Sequence, residues 1–359
     1  MTRAIGLPRA RPEIAALPVY SRAAGAATVR WRASSNEATI APPPAVVEAI
    51  ARAGEHGHLY PTLSADNLVA ALAERLSVPP HAVLSGAGSL ALLQQALTAY
   101  TGPGTEVVHA WRSYEAYPIL IGIAGATAVP VPLDTQHRHD VDAMIAALTP
   151  RTRAVLVCNP NNPTGTELTE TEVRRLLDGV PSHVLVILDE AYHEFAEEQV
   201  DGVKLLREYP NVVVLRTFSK AYGLAGLRVG YAIADPAVAA PLHAAAPPFG
   251  LSSVAEAAAC AALADSAHTG RVLESVRWSR VHLRAGLSAS GIETPASGGN
   301  FVWIPVGAGT TRLAAACVAH GVSVRAFSGE GVRVTVGERD AENAVLAAVD
   351  HVIAHRPEG

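Results

Sequence analysis

From about residue 60 the chain alternates between two kinds of segment. Short apolar runs rich in Val and Ile ("AVLSG", "EVVHA", "TAVPVPL", "RAVLVCNP", "HVLVILDEAY", "NVVVLRTFS" and "LRVGYAIAD") are separated by stretches of helical spacing, among them "SLALLQQALTAY", "VDAMIAALT" and "TETEVRRLLDGV". A strand with one wet face alternates apolar and polar residues, whereas these runs are apolar on both faces. The pattern predicts a mostly parallel sheet covered by helices, an α/β architecture. Ahead of it, "APPPAVVEAIARAG" starts a helix after prolines, and Gly54 ends it.

After about residue 245 the texture changes. Two long helical stretches, "SVAEAAACAALADS" and "VLESVRWSRVHLRAGL", lead to three short strand candidates, "NFVWIPV", "GVSVRAF" and "GVRVTVG", and then to a closing helix. The expected organisation is an irregular N-terminal arm over 1–35, a large α/β domain over 36–245 and a small α+β domain over 246–359. Residues 36–58 are able to pack against the smaller domain.

In sheets of this kind ligands sit beyond the carboxyl ends of the strands. Three of the predicted strands end in polar residues. "VLVC" runs into "NPNNPTG", "VLVIL" into "DEAY", and "VVVLR" into "TFSK", which brings Asn162, Asp189, Tyr192, Thr217, Ser219 and Lys220 to one rim.

Composition sharpens one of these residues. Only two of the 28 Lys and Arg residues are lysines, Lys204 and Lys220. Arginine replaces lysine on a solvated surface at little cost, but not where the nitrogen must lose its proton and attack a carbonyl. Lys220 is therefore a candidate nucleophile, while Lys204, in "DGVKLLREYP", reads as a surface charge. The formal net charge of −5, with arginines scattered among acids, argues against a nucleic-acid partner. Cys158, Cys260 and Cys317 form neither a metal spacing nor a disulfide framework, which fits a reducing cytoplasm. No apolar run approaches the ~18 residues of a membrane span, and the proline-interrupted start is not a signal peptide.

Asp189 follows five apolar residues, so a lone carboxylate there needs a positive partner. That partner is either an arginine or helix end, or a protonated ring nitrogen. A lysine that condenses with an aldehyde and an aspartate that holds a pyridinium together describe pyridoxal 5'-phosphate. Its phosphate then needs donors: Thr217, Ser219 and Arg228, with the strand-to-helix turn Ala87, Gly88 and Ser89, are available. Asn162 and Tyr192 could donate to the phenolic oxygen, and Tyr114 could stack on the ring or belong to the core. Arg333, between strand-forming valines, suits a carboxylate, or is an ordinary edge-strand arginine.

"NPNNPTG", "LDEAY" and "TFSKAYGLAGLRVGY" resemble the fold-type I, class I/II aminotransferases. Within these the chain is most similar to the histidinol-phosphate aminotransferase subgroup, in its actinobacterial aromatic or phenylalanine branch, from about Leu17 to the C-terminus. The resemblance implies that Lys220 is the Schiff-base lysine and proton shuttle, with Asp189, Asn162, Tyr192, Tyr114, Ala87, Gly88, Thr217, Ser219 and Arg228 around the cofactor. It implies that Tyr60 reaches the partner's phosphate in a homodimer and that Arg333 clamps the substrate carboxylate. Arg325, Tyr20 and Asn300, with Asn162, would border the substrate. "SNEATIAPPP", "YPT" and "GAGS" depart from common family patterns, which leaves the substrate open.

The expected reaction is ping-pong transfer of an amino group from an aromatic amino acid of the Phe or Tyr type to a 2-oxo acid such as 2-oxoglutarate. Only eight positions (333 − 325) separate Arg325 from Arg333, a short loop for closing over a phosphate, while Phe327 or Trp303 could provide apolar walls. The alternatives are histidinol phosphate as donor, a specialised biosynthetic donor, a decarboxylase or lyase on the same cofactor, and a non-catalytic ligand sensor.

Overall fold

The computed structural model describes residues 9–18, 28–198 and 200–355. Two sheets organise them. The strands, in chain order, are β1 (Trp31–Ala33), β2 (Val83–Gly86), β3 (Glu106–Trp111), β4 (Thr127–Pro132), β5 (Thr152–Cys158), β6 (Leu185–Asp189), β7 (Val212–Thr217), β8 (Gly230–Ala234), β9 (Phe301–Ile304), β10 (Val322–Phe327) and β11 (Gly331–Thr335).

The large sheet has seven strands in the order β2-β8-β7-β6-β5-β3-β4. Only β8 runs against its neighbours β7 and β2. Along β6, Leu185 and Ile187 enter one apolar cluster, while Val186 and Leu188 enter another. Successive strand residues face opposite ways, so a strand buried on both sides must be apolar throughout. The helix Ser89–Tyr100 contributes to one cluster, and the helices Asp66–Leu76 and Glu170–Gly179 to the other. The last of these starts with a reciprocal cap in which Thr169 Oγ1 accepts from the Glu172 amide and Glu172 accepts from the Thr169 amide.

The small sheet has the order β1-β10-β11-β9. Its three C-terminal strands are those the pattern predicts. β1 is a correction: the expected irregular arm instead contributes Trp31–Ala33, paired in parallel with Val322–Val324 of β10. Three residues are too few to display a period of two, and their partner lies near the other end of the chain.

Helix Pro44–Gly54 packs on helix Ser253–Ala264. Gly230 shows how tightly the large sheet meets its first turn. It pairs with Gly86 on one side and Thr217 on the other, and a Cβ there would lie 2.6 Å from the Gly88 carbonyl carbon and closer still to the Ser89 nitrogen. We expect Gly230→Ala to lower stability by about 1–3 kcal/mol, the usual cost of overpacking a rigid site. Urea unfolding measures this, and an unchanged midpoint would show that the Gly88 turn yields freely.

Candidate active site

A cavity of about 280 Å³ opens where β5, β6 and β7 end, with Arg325 and Arg333 of the small sheet in its wall. Lys220, three residues beyond β7, lines it. Its Nζ donates to the backbone carbonyls of Asn36 (3.1 Å) and Ser35 (3.4 Å). Burial, and then the nearby Arg333 guanidinium, push the amine down to about 7. A lysine in that state is deprotonated in part at neutral pH, as a nucleophile or base must be.

Asp189 ends β6 and is nearly buried. One carboxylate oxygen accepts from the Tyr117 hydroxyl (2.7 Å) and the other from the Ala191 amide (3.2 Å). Both donors are neutral, and burial raises the carboxyl's pKa. Glu190 turns the opposite way and accepts from Arg216 Nε (2.8 Å) and the Gly202 amide (2.8 Å), while Arg216 also pairs with Asp201. Of these two adjacent acids, only Asp189 lines the cavity.

The Tyr192 hydroxyl accepts from Asn36 Nδ2 (2.9 Å), and burial raises its pKa strongly, so it keeps its proton. Asn162 is buried, and its amide oxygen accepts from Arg333 Nη1. Arg333 Nη2 donates to the Ser34 carbonyl (2.6 Å). Tyr114 sits in the loop before the helix Ala116–Ala124, edge-on to Tyr117 at 5.6 Å.

At another part of the wall Ser89, Thr217, Ser219 and Arg228 converge. Ser89 is the first residue of its helix, so the positive end of that helix meets the cavity. Thr217 Oγ1 accepts from the Ser219 amide (3.1 Å), and Arg228 Nη1 donates to Ser219 Oγ (3.3 Å). Gly88 (φ +87°) lies against the Arg228 guanidinium, where a side chain would collide.

Several expected residues lie elsewhere. Ala87 borders a neighbouring cleft with Leu63 and His243, on the other side of the turn. Tyr60 is 85% exposed and stacks on Phe249 at 4.9 Å, away from the cavity of its own chain. Asn300 is buried behind Asn36, to whose carbonyl it donates (3.1 Å), and does not reach the cavity. Phe327 and Trp303 pack on each other at 5.5 Å inside the small sheet, so they are not walls of the cavity. Tyr20 lies outside the described residues.

Asn36 and Tyr117 escape the sequence reading. Asn36 is buried in the left-handed region (φ +54°), which asparagine tolerates better than most residues. Its amide and its side-chain oxygen both bond Thr335 Oγ1 of β11, and its carbonyl receives Lys220 and Asn300. The only sequence signal is a polar "SSNE" ahead of a helix.

Comparison with known proteins decides the family. The model of aminotransferase class I and II matches residues 33–349. The chain belongs to the aminotransferase class I and II family. It is 49% identical over 349 residues to the aromatic amino acid aminotransferase of Streptomyces avermitilis, covering 96% of this chain and 97% of that one. It is 47% identical over 343 residues to the aromatic amino acid aminotransferase of Rhodococcus jostii, covering 95% of each. The crystal structure of histidinol-phosphate aminotransferase from Sinorhizobium meliloti in complex with pyridoxal-5'-phosphate superposes with a TM-score of 0.89 at 30% identity, over 98% of this chain and 99% of that one. The large mostly parallel sheet with a smaller one beside it is the fold-type I architecture of this aminotransferase family.

Two outcomes follow for this aminotransferase. In cofactor-free protein, acylation of Lys220 followed by mass spectrometry should rise through a midpoint near pH 7. A midpoint near the ordinary lysine value of 10.5 would contradict the burial argument. The sign for stability is also set. The unfolded chain keeps this amine protonated where the folded one does not, so its contribution increases as pH rises from about 7 towards 10.5. Separately, Asp189→Asn should lower kcat/KM by roughly 10²-fold or more with little change in Tm. Glu190→Gln should chiefly lower Tm, because it breaks a buried ion pair with Arg216. Equal activity losses at matched folded fraction would refute the opposed orientation of the two acids.

Proposed function

We propose that the protein is a pyridoxal phosphate-dependent aminotransferase that exchanges the amino group of an aromatic L-amino acid, phenylalanine or tyrosine, with a 2-oxo acid such as 2-oxoglutarate. The observation that carries the cofactor is the convergence, in one cavity, of an amine held near neutral pKa and a buried carboxylate held by neutral donors, with a hydroxyl-rich cationic end. This donor set fits a phosphorylated pyridine aldehyde. Asp189 would hold the ring nitrogen. Asn162 and Tyr192 would hold the phenolic oxygen, and Tyr114 would lie on the ring face. Ser89, Thr217, Ser219 and Arg228, backed by the turn at Ala87 and Gly88, would hold the phosphate.

When bound, the cofactor supplies the electron sink that stabilises negative charge at the substrate Cα. The chain's own residues do the rest. Arg333 presents a guanidinium fork to the substrate α-carboxylate and so orients it. The Lys220 amine, kept down near 7 by burial and by Arg333, takes a proton from Cα of the amino donor and, in the second half of the cycle, gives one to the corresponding carbon of the 2-oxo acceptor. Tyr192 keeps its phenolic proton and can donate it into the cavity. The exposed Tyr60, with Leu59, Leu63 and Phe249 beside it, supports a homodimer in which Tyr60 completes the partner's phosphate site. Three free cysteines, two of them buried, suit a cytoplasmic enzyme.

The aromatic donor is supported by the Streptomyces and Rhodococcus relatives. Histidinol phosphate is the second reading, supported by the Sinorhizobium neighbour and by retention of both Arg325 and Arg333. Steady-state kinetics with 2-oxoglutarate as acceptor separates them. We expect kcat/KM for phenylalanine to exceed that for histidinol phosphate by roughly tenfold or more. The reverse order would overturn the aromatic assignment.

A further inference from the structure

Arg325 and Arg333 are register partners across β10 and β11, and both line the cavity. Like charges directly opposite each other on an antiparallel pair repel, so the way each is held matters. Arg333 donates to the amide oxygen of Asn162 and to the carbonyl of Ser34. Arg325 instead meets a full carboxylate. Its Nε donates to Glu115 Oε2 (2.9 Å) and its Nη2 to Glu115 Oε1 (2.9 Å). This is the two-pronged arrangement in which a guanidinium recognises a carboxylate best. The pair is largely shielded, with side-chain exposures of 13% and 27%.

Glu115 is itself fixed in place. It lies between Tyr114, which lines the cavity, and the helix Ala116–Ala124. Three residues earlier, Arg112 pairs with Glu330 in the turn between β10 and β11, and its guanidinium lies over Phe327 at 5.5 Å. Two ion pairs of opposite polarity therefore join the 112–115 segment to the same hairpin. Glu115 is therefore carried on a segment fastened at a second point to the hairpin that bears Arg325.

We propose that Glu115 is a specificity-determining residue that fills the Arg325 fork and so weakens the binding of substrates with a second anionic group. The inference rests on the aminotransferase reading, with Arg333 taking the α-carboxylate. A side-chain carboxylate or phosphate that reaches Arg325 finds its fork occupied and must displace Glu115, leaving that carboxylate without its partner. A neutral aromatic side chain meets no such penalty, and the flat face of a paired guanidinium still stacks on a ring. A dianionic acceptor such as 2-oxoglutarate enters at a disadvantage relative to an aromatic 2-oxo acid.

The test uses cofactor-loaded enzyme and two unreactive probes, glutarate (two carboxylates) and 3-phenylpropanoate (one carboxylate and a ring), with Kd values from calorimetry. Glu115→Gln keeps the shape and removes the charge. The ratio of affinities should move at least roughly tenfold towards glutarate, slightly more than one charge at contact distance contributes in bulk water and well below its full effect near a protein surface. The double variant E115Q/R325Q should lose that gain. An unchanged ratio in E115Q, or a gain that survives in the double variant, would overturn the proposal. Should E115Q fail to fold, Arg325→Gln decides: with the fork gone, the ratio must not move towards glutarate, and such a movement would refute the role of Arg325. Inactivity of the wild-type enzyme on phenylalanine would sink the aromatic reading by itself, because the glutarate shift is measured without turnover.

Discussion

In strands that are apolar on both faces, polar groups concentrate where the strands end, and this constraint generates the site. β5, β6 and β7 run parallel, so their carboxyl ends lie side by side. The polar residues excluded from the interior of each strand accumulate at one rim. Desolvation at that rim acts in opposite directions on opposite charges. It holds the Lys220 amine towards its neutral form and raises the pKa of Asp189, whose hydrogen-bonding neighbours in the fold are neutral. A pyridinium between such groups would satisfy a carboxylate whose hydrogen-bonding partners in the fold are neutral.

Asn36 joins the two sheets at this rim. Through one residue, β11 (Thr335), the segment after β6 (Tyr192) and the segment after β7 (Lys220) are tied together. Any shift of the small sheet is therefore felt at the Tyr192 hydroxyl and the Lys220 amine that line the cavity. Precise placement of catalytic groups by neighbouring hydrogen bonds, rather than by their own rotamers alone, is the general requirement for a site of this type.

The large sheet was legible because its signal is repeated: seven apolar runs, each bounded by a turn and a helix, leave little room for another period. Lys220, Asp189 and Asn162 were legible because each interrupts such a run with a residue that burial penalises. Asn36, Tyr117 and Glu115 were not. Their roles depend on partners far away in sequence, Thr335 for Asn36, Asp189 for Tyr117 and Arg325 for Glu115, and no local pattern marks such a pairing. β1 was hidden for the same reason. Phe327 and Trp303 misled because an aromatic next to a binding arginine can turn towards the ligand or into the core, and alternation alone does not say which face is which.

The pairing of β1 with β10 also bears on when the enzyme can become active. During synthesis the segment carrying Trp31–Ala33 and Asn36 emerges early, whereas Val322–Val324 and Thr335, which hold it in place, are made almost last. The large sheet can assemble from strands that are all complete by Ala234. The rim, however, stays open until the final strands leave the ribosome. An aminotransferase built this way has no finished site as a nascent chain: until residues 322–335 are made, Arg325 and Arg333 are missing from the cavity wall and Thr335 is missing from Asn36.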